Sequence, residues 1–223
     1  MSPPAPYGTG LTHMAKERLK SPRARLFVAL DLPNPVRDGL AAWQARALTD
    51  PALRAVGPEA LHVTLCFLGY HRERDIERVD ALVTGVEARP VEIRLDPDPV
   101  PVPRSRPRLL AVGGESPGAS ALQSELSDLL EAERFYKPEK RDFWPHVTVA
   151  RIKPSKRSAS DRRGGRRGRP MRVEAPPGSL PGELLEPFGA VRVTLYRSRL
   201  RPSGAEYASL AELDLPPAGV EKR

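Results

Sequence analysis

Two segments, "LHVTLCFLG" from Leu61 and "PHVTVARIK" from Pro145, repeat the order His-Val-Thr-apolar, and this repeat narrows the architectures open to the chain more than any other feature. In an extended strand, successive side chains point to opposite faces. Leu61, Val63, Leu65 and Phe67 then make an apolar face while His62 and Thr64 share the other. Val147 and Val149 alternate with His146 and Thr148 in the same way. Each segment reads as a strand that packs one side and presents an imidazole and a hydroxyl on the other. The chain has four histidines and seven threonines, too few for two His-x-Thr pairs to be an accident of composition.

The surroundings of the two motifs are doubled as well. "RLFVALDLP" reads as a buried strand stopped by proline, and "NPVRDGLAAWQARAL" as a helix capped by Asn34 with Pro35 at its first position. After the first motif, "RERDIERVDALVTGVEA" carries Ile76, Val79, Leu82 and Val83 at helical spacing. "VEIRLDPDPVPV" is extended, its prolines fitting an edge strand, and "RPRLLAVGG" is a strand ended by two glycines. "SPGASALQSELSDLLEAERF" predicts a helix with Leu122, Leu126, Leu129 and Leu130 on one face, leading into the second motif. "AVRVTLYRSRL" and "AEYASLAELDL" around "RPSG" predict a closing hairpin whose loop is slightly longer than minimal. About seven strands against three helices make the chain α+β, with two lobes built on sheets.

At 223 residues with 39% apolar content, the chain can bury a real core. Residues 1–24 are polar and proline-rich and read as a disordered tail, 25–216 as the folded domain, and 217–223 as a second tail. "KPSKRSASDRRGGRRGRP" has one alanine as its only apolar residue and predicts a flexible Arg/Gly-rich loop at about 154–170. No run of 18 apolar residues and no secretory h-region occurs, so a cytoplasmic protein with no membrane partner is expected. The single cysteine, Cys66, excludes an internal disulfide and reads as a small buried hydrophobe. Net charge is +8, which favours an anionic partner, although 29 of the 36 basic residues are Arg, a bias that GC-rich coding alone produces.

If the two motif strands face each other across a cleft, they bring two imidazoles and two hydroxyls together. Histidine alone has an ordinary pKa that lets one copy be neutral and the other protonated near neutral pH, as concerted base and acid catalysis requires. Thr64 and Thr148 offer neutral donors for the non-bridging oxygens of a phosphate. This constellation suits phosphodiester cleavage without a cofactor or metal, since two His with no third ligand near either motif make a poor metal set. His13 falls in the tail, and His71, at a strand end beside Arg72, is expected on the surface.

These pieces resemble the 2H phosphoesterase superfamily, and within it the RNA 2',3'-cyclic phosphodiesterases once described as 2'-5' RNA ligases. The matching stretches are "RLFVALDLP", "LHVTLCFLG", "RPRLLAVG", "PHVTVAR" and "LYRSRLRPSGAEYASLAEL", in the family's order and spanning about residues 25–215. The resemblance implies a bilobal fold of two pseudo-twofold-related antiparallel sheets, with helices outside and the active site in the cleft between them. It implies an RNA substrate ending in a 2',3'-cyclic phosphate, with His146 as proton acceptor for water and His62 as proton donor to the departing 3' oxygen, leaving a 2'-phosphate. Thr64 and Thr148 would hold the phosphate oxygens, and no cofactor is needed. The same site run backwards would join 2',3'-cyclic and 5'-hydroxyl ends. Arg151 resembles a family arginine shortly after the second motif, but strict alternation puts it off the His146 face unless the strand ends or bulges first. Two departures stand out: the N-terminal tail, and the Arg-, Gly- and Pro-rich stretch from Pro154 to Pro187, where the last helix should be short or missing.

Two other readings stay open at this stage: an RNA-binding module of the same fold without turnover, and an enzyme acting on a small cyclic nucleotide. No sequence feature argues for an oligomer, so a monomer is expected.

Overall fold

The computed structural model describes residues 22–155, 169–201 and 204–219. In chain order its elements are β1 (Arg23–Asp31), α1 (Asn34–Ala47), the short β2 (Leu53–Ala55), β3 (His62–Arg72), α2 (Ile76–Thr84), β4 (Glu92–Val102), β5 (Leu109–Glu115), α3 (Pro117–Ala132), β6 (His146–Ile152), the two-residue β7 (Phe188–Gly189), β8 (Arg192–Arg201) and β9 (Gly204–Asp214). The fold is α+β, its strands outnumbering its helices and pairing antiparallel.

Strands follow the order β7-β4-β5-β6-β3-β1-β8-β9, with β2 on β6, and neighbours are antiparallel throughout. At the centre of this path the two motif strands meet through a single register pair, Val63 with Val147. One pair is too little to make a continuous sheet, so the path divides there into two lobes: β3-β1-β8-β9 and β6-β5-β4-β7. The units β1-α1-β3 and β5-α3-β6 are pseudo-twofold counterparts, each supplying a motif strand. Each lobe is then completed from the other half of the chain, β4 joining the second and β8 and β9 the first. The first lobe is therefore discontinuous in sequence, whereas the second runs from β4 to β7 without interruption.

The local chemistry explains the elements. β1 is buried along most of its length, Leu26, Val28 and Leu30 being at most 1% exposed, which suits a central strand covered on both faces. α3 starts where Ser116 accepts a hydrogen bond from the Ala119 N–H at 3.1 Å, with Pro117 at the first position. It buries Leu122, Leu126 and Leu130. α1 begins one residue earlier than its sequence signal, with Pro33 at the cap, and the Asn34 side chain accepts from Arg37 instead of capping the helix backbone.

Several boundaries differ from the sequence reading. β1 starts at Arg23, inside the stretch assigned to the tail. Gly113 and Gly114 lie within β5 and do not end it. The closing hairpin forms as expected, with Pro202 and Ser203 of its turn outside the described residues. The ends of the Arg-rich stretch are tied by a bridge between Pro154 and Pro170 and by the Ser155 N–H donating to the Arg169 carbonyl. Residues 156–168 lie outside the described residues, as does His13. From 169 to 187 the described chain holds one 3₁₀ turn, Gly182–Leu184, where the missing last helix had been expected.

Candidate active site

The alternation that places His and Thr on one face breaks at the same point in both motifs. In β3, Thr64 pairs with Ala29 and Cys66 with Val28, so Leu65 is an extra residue; in β6, Thr148 pairs with Ala111 and Ala150 with Leu110, so Val149 is extra. A bulge of this kind leaves two successive side chains on one side and inverts the pattern beyond it. Leu65 and Cys66 are accordingly both buried, as are Val149 and Ala150. The fifth residue after each histidine is thereby returned to the histidine's face: Phe67 in one lobe and Arg151 in the other. Phe67 is not part of the packed face that strict alternation predicts; it is 55% exposed. Arg151 does reach the cleft, by the route that alternation alone disallowed.

Helix α1 holds the second bulge in place. Buried Gln44 donates through Nε2 to the Val149 carbonyl at 2.6 Å and to the Val56 carbonyl at 3.2 Å, and the Val56 N–H also reaches the Val149 carbonyl at 3.3 Å. The extra backbone carbonyl is thus paired despite falling off the ladder.

His62, Thr64, His146, Thr148 and Arg151 line one cleft of about 890 Å³ at the joint between the lobes. The structure therefore brings together all five residues singled out from the sequence. Arg25 and Arg54 add positive charge to its walls, while Glu59, Glu139, Asp142 and Glu206 add negative charge. Among the described residues, no group of three or more His, Cys, Asp or Glu side chains could hold a metal ion.

The two imidazoles have different surroundings. His62 stacks on Phe27 with ring centroids 5.1 Å apart and meets Tyr207 edge-on at 5.5 Å. Its Nδ1 is buried without a hydrogen-bond partner among the described residues. An orphaned N–H is rarer and costlier than an orphaned acceptor, so the neutral ring keeps its proton on Nε2. Burial, and then the charges of His146 and Arg151, push its pKa down to about 4.

His146 is tied by its Nδ1, which lies 2.8 Å from the Trp144 carbonyl. A carbonyl only accepts, so Nδ1 carries the proton and Nε2 keeps its lone pair. The imidazole also stacks on the Trp144 indole, centroids 4.6 Å apart and planes 15° from parallel. Burial lowers its pKa; the Trp144 carbonyl opposes that shift, Arg141 adds to it, and Glu139 opposes it. One neutral and one protonated histidine were expected from the sequence. Both are driven toward neutrality, because both are taken out of water beside other cations. They remain unlike: one offers an N–H and the other a lone pair.

The other named residues fall into structural roles. Cys66 is buried and its thiol is pushed up to about 12 by burial, which fits a small hydrophobe. His71 is half-buried, not fully on the surface, with Nε2 2.8 Å from the Leu68 carbonyl and its ring edge-on to Phe135. Trp144, Phe27, Tyr207 and Gln44 were not singled out from the sequence. Trp144 alone carried a usable signal, a tryptophan two places before His146 in a chain with only two.

Comparison with known proteins agrees with this geometry. Residues 30–97, which include the first motif but not the second, match the family described as LigT like Phosphoesterase. The RNA 2',3'-cyclic phosphodiesterase of Methanothermobacter thermautotrophicus is 33% identical over 198 residues, covering 84% of this chain and 97% of that protein. The protein of the same name from Thermus thermophilus is 29% identical over 200 residues, covering 86% and 90%. Among solved structures, that of Escherichia coli LigT complexed with 3'-AMP superposes with a TM-score of 0.65 at 25% identity, over 87% of this chain and 99% of that one. The chain belongs to the LigT-like phosphoesterases of the 2H superfamily, and it is a phosphoesterase.

Proposed function

We propose that the protein hydrolyses the 2',3'-cyclic phosphate at RNA ends to a 2'-phosphate, with His146 as general base and His62 as general acid. The observation that carries this reading is an unlike pair of imidazoles lining one cleft: His146, whose Nδ1 is tied to the Trp144 carbonyl so that Nε2 keeps a lone pair, and His62, whose buried Nδ1 has no such carbonyl. The activity of the relatives and the 3'-AMP and phosphate complexes of Escherichia coli LigT support a phosphorylated ribose as the ligand.

A cyclic phosphate seated between the motifs places its non-bridging oxygens against Thr64, Thr148 and Arg151, where neutral and cationic donors stabilise the charge that builds up on phosphorus. His146 Nε2 takes a proton from water as the water oxygen bonds to phosphorus. The bond to the 3' oxygen breaks, and the proton on His62 Nε2 passes to that oxygen. The phosphate's negative charge favours the imidazolium of His62 and so opposes the downward push of burial on its pKa, charging the acid as substrate binds. With a 5'-hydroxyl in place of water as the nucleophile, His146 would take the hydroxyl proton and the same step would join 2',3'-cyclic and 5'-hydroxyl ends.

Incubating the chelator-treated protein with a short RNA ending in a 2',3'-cyclic phosphate, and identifying the product end by phosphorus NMR, tests this reading. A 2'-phosphate is expected. Intact substrate, or a 3'-phosphate, refutes it. Faster turnover of a cyclic mononucleotide than of the oligonucleotide would move the substrate class to small cyclic nucleotides, and salt-sensitive RNA binding without product would make the chain a binding module.

A further inference from the structure

Trp144 belongs to no secondary-structure element, yet it makes two contacts with one ring. Its carbonyl accepts from His146 Nδ1, and its indole lies nearly parallel against the same imidazole. A side chain on the irregular approach to a strand needs a reason to be held so, and the facing strand supplies one. Gly113 is the register partner of His146. A Cβ built there would come within 2.8 Å of Trp144 Cζ2, 2.9 Å of Trp144 Nε1 and 2.4 Å of Asp96 Oδ2. Only glycine leaves the space in which the indole lies, so the ring is seated from below by β5 and covers His146 from the side. At 38% exposure it remains part of the cleft wall.

An indole face is electron-rich and attracts a cation stacked on it, tryptophan more strongly than the other aromatics. A neutral imidazole gains little from this, whereas an imidazolium gains a good deal. The contact is therefore selective for the state that His146 reaches as it accepts a proton. Its counterpart in the other lobe does not have the same form: His62 stacks on Phe27, a weaker cation partner, and its Nδ1 has no carbonyl.

We propose that Trp144 is a positioning residue for His146: its carbonyl fixes the tautomer that leaves Nε2 free, and its indole stabilises the imidazolium formed during turnover. This rests on the reading of His146 as the base. The charged groups that act on His146 are Arg141 and Glu139 on the segment before β6; Asp96 on β4 lies beside the indole, and Asp142, His62 and Arg151 line the same cleft. None of them is altered by substituting Trp144.

The test compares Trp144→Leu, which keeps an apolar cover but removes the π face, with Trp144→Phe, which retains a face. His146 is titrated by NMR of its ring Cε1–H, and kcat and KM are measured on a 2',3'-cyclic mononucleotide. For the Leu variant the protonation equilibrium of His146 should shift about two- to five-fold toward the neutral form. Its kcat should fall by a comparable factor with KM unchanged, and Phe should restore most of both. An unshifted titration in the Leu variant overturns the proposal, as does a loss shared equally by Leu and Phe or one carried by KM. The titration needs no substrate, so an inactive wild type would refute the proposed reaction while leaving the stacking claim to stand or fall on the NMR result.

Discussion

The two motif strands have the same sequence plan and the same bulge, but the neighbours of their histidines differ. Opposite His62 in the register stands Asp31, a half-buried carboxylate that accepts hydrogen bonds from Tyr196 Oη at 2.7 Å and Thr194 Oγ1 at 3.0 Å. Opposite His146 stands Gly113, which leaves room for an indole. Five residues on, the first lobe presents Phe67 and the second Arg151. Duplication supplies two copies of the reactive side chains, but concerted proton transfer needs them unlike. The difference comes from what packs around each ring: an orphaned Nδ1 among aromatics in one lobe, and a carbonyl-tied, tryptophan-backed ring in the other.

If this contrast is functional, removing either histidine should have the largest effect. His62→Ala and His146→Ala should each lower kcat by about 10²- to 10⁴-fold with the fold retained, measured by initial rates and circular dichroism. A single variant near the wild-type rate would reduce that lobe to a scaffold.

The next effect is structural. Leu65, the bulge residue, is 4% exposed, so Leu65→Ala should cost about 2–5 kcal/mol in urea unfolding. Phe67→Ser should stay within about 0.5 kcal/mol of wild type. In an unbulged strand Phe67 would be a core residue, so a large loss at Phe67 would contradict the register described here.

pH should sharpen the contrast further. A buried histidine whose folded pKa lies below its unfolded value contributes no penalty above pH 6.5. Below that, the unfolded chain binds the proton more readily, and stability falls. For His62 the window runs from about 6.5 down to about 4, worth at most about 3 kcal/mol. Urea midpoints should therefore fall less steeply across this range in His62→Gln than in wild type. In kinetics, a base role for His146 requires it neutral, and its pKa is lowered, so that role predicts an acid limb of kcat/KM below pH 6.5. The alkaline limb should move to higher pH in kcat than in kcat/KM, because bound phosphate favours the charged form of His62. Limbs that coincide in the two profiles would show that substrate does not charge the acid.

The smallest expected effect concerns how the second bulge is held. Gln44→Leu removes a buried donor from the Val149 carbonyl and should cost about 1–3 kcal/mol, with kcat/KM reduced as Arg151 loses its place. Unchanged kcat/KM in a destabilised variant would separate the bulge from substrate binding.

Much of this was legible in the sequence, for a physical reason. Period-two alternation is set by covalent geometry, so His62, Thr64, His146 and Thr148 could be assigned to one kind of face without a structure. Duplicated motifs carry their relationship in their spacing. Bulges carry no such mark: Leu65 and Val149 look like ordinary strand residues, and only register with β1 and β5 shows them to be extra. That is why Phe67 was misplaced and Arg151 left doubtful. The downward push on both histidine pKa values was not legible either, since their burial depends on the partner lobe. Trp144 and Gly113 make sense only as a pair, and one lies on the approach to β6 while the other lies within β5, far apart in the chain.

The central claim is that one histidine from each lobe acts in a single transition state. The most direct test is a double-mutant cycle on a 2',3'-cyclic phosphate substrate, with kcat/KM measured for wild type, His62→Ala, His146→Ala and the double variant. Acid and base that act as a unit predict a double variant little worse than the poorer single one. Losses that multiply would mean that the two histidines act independently and would contradict the account.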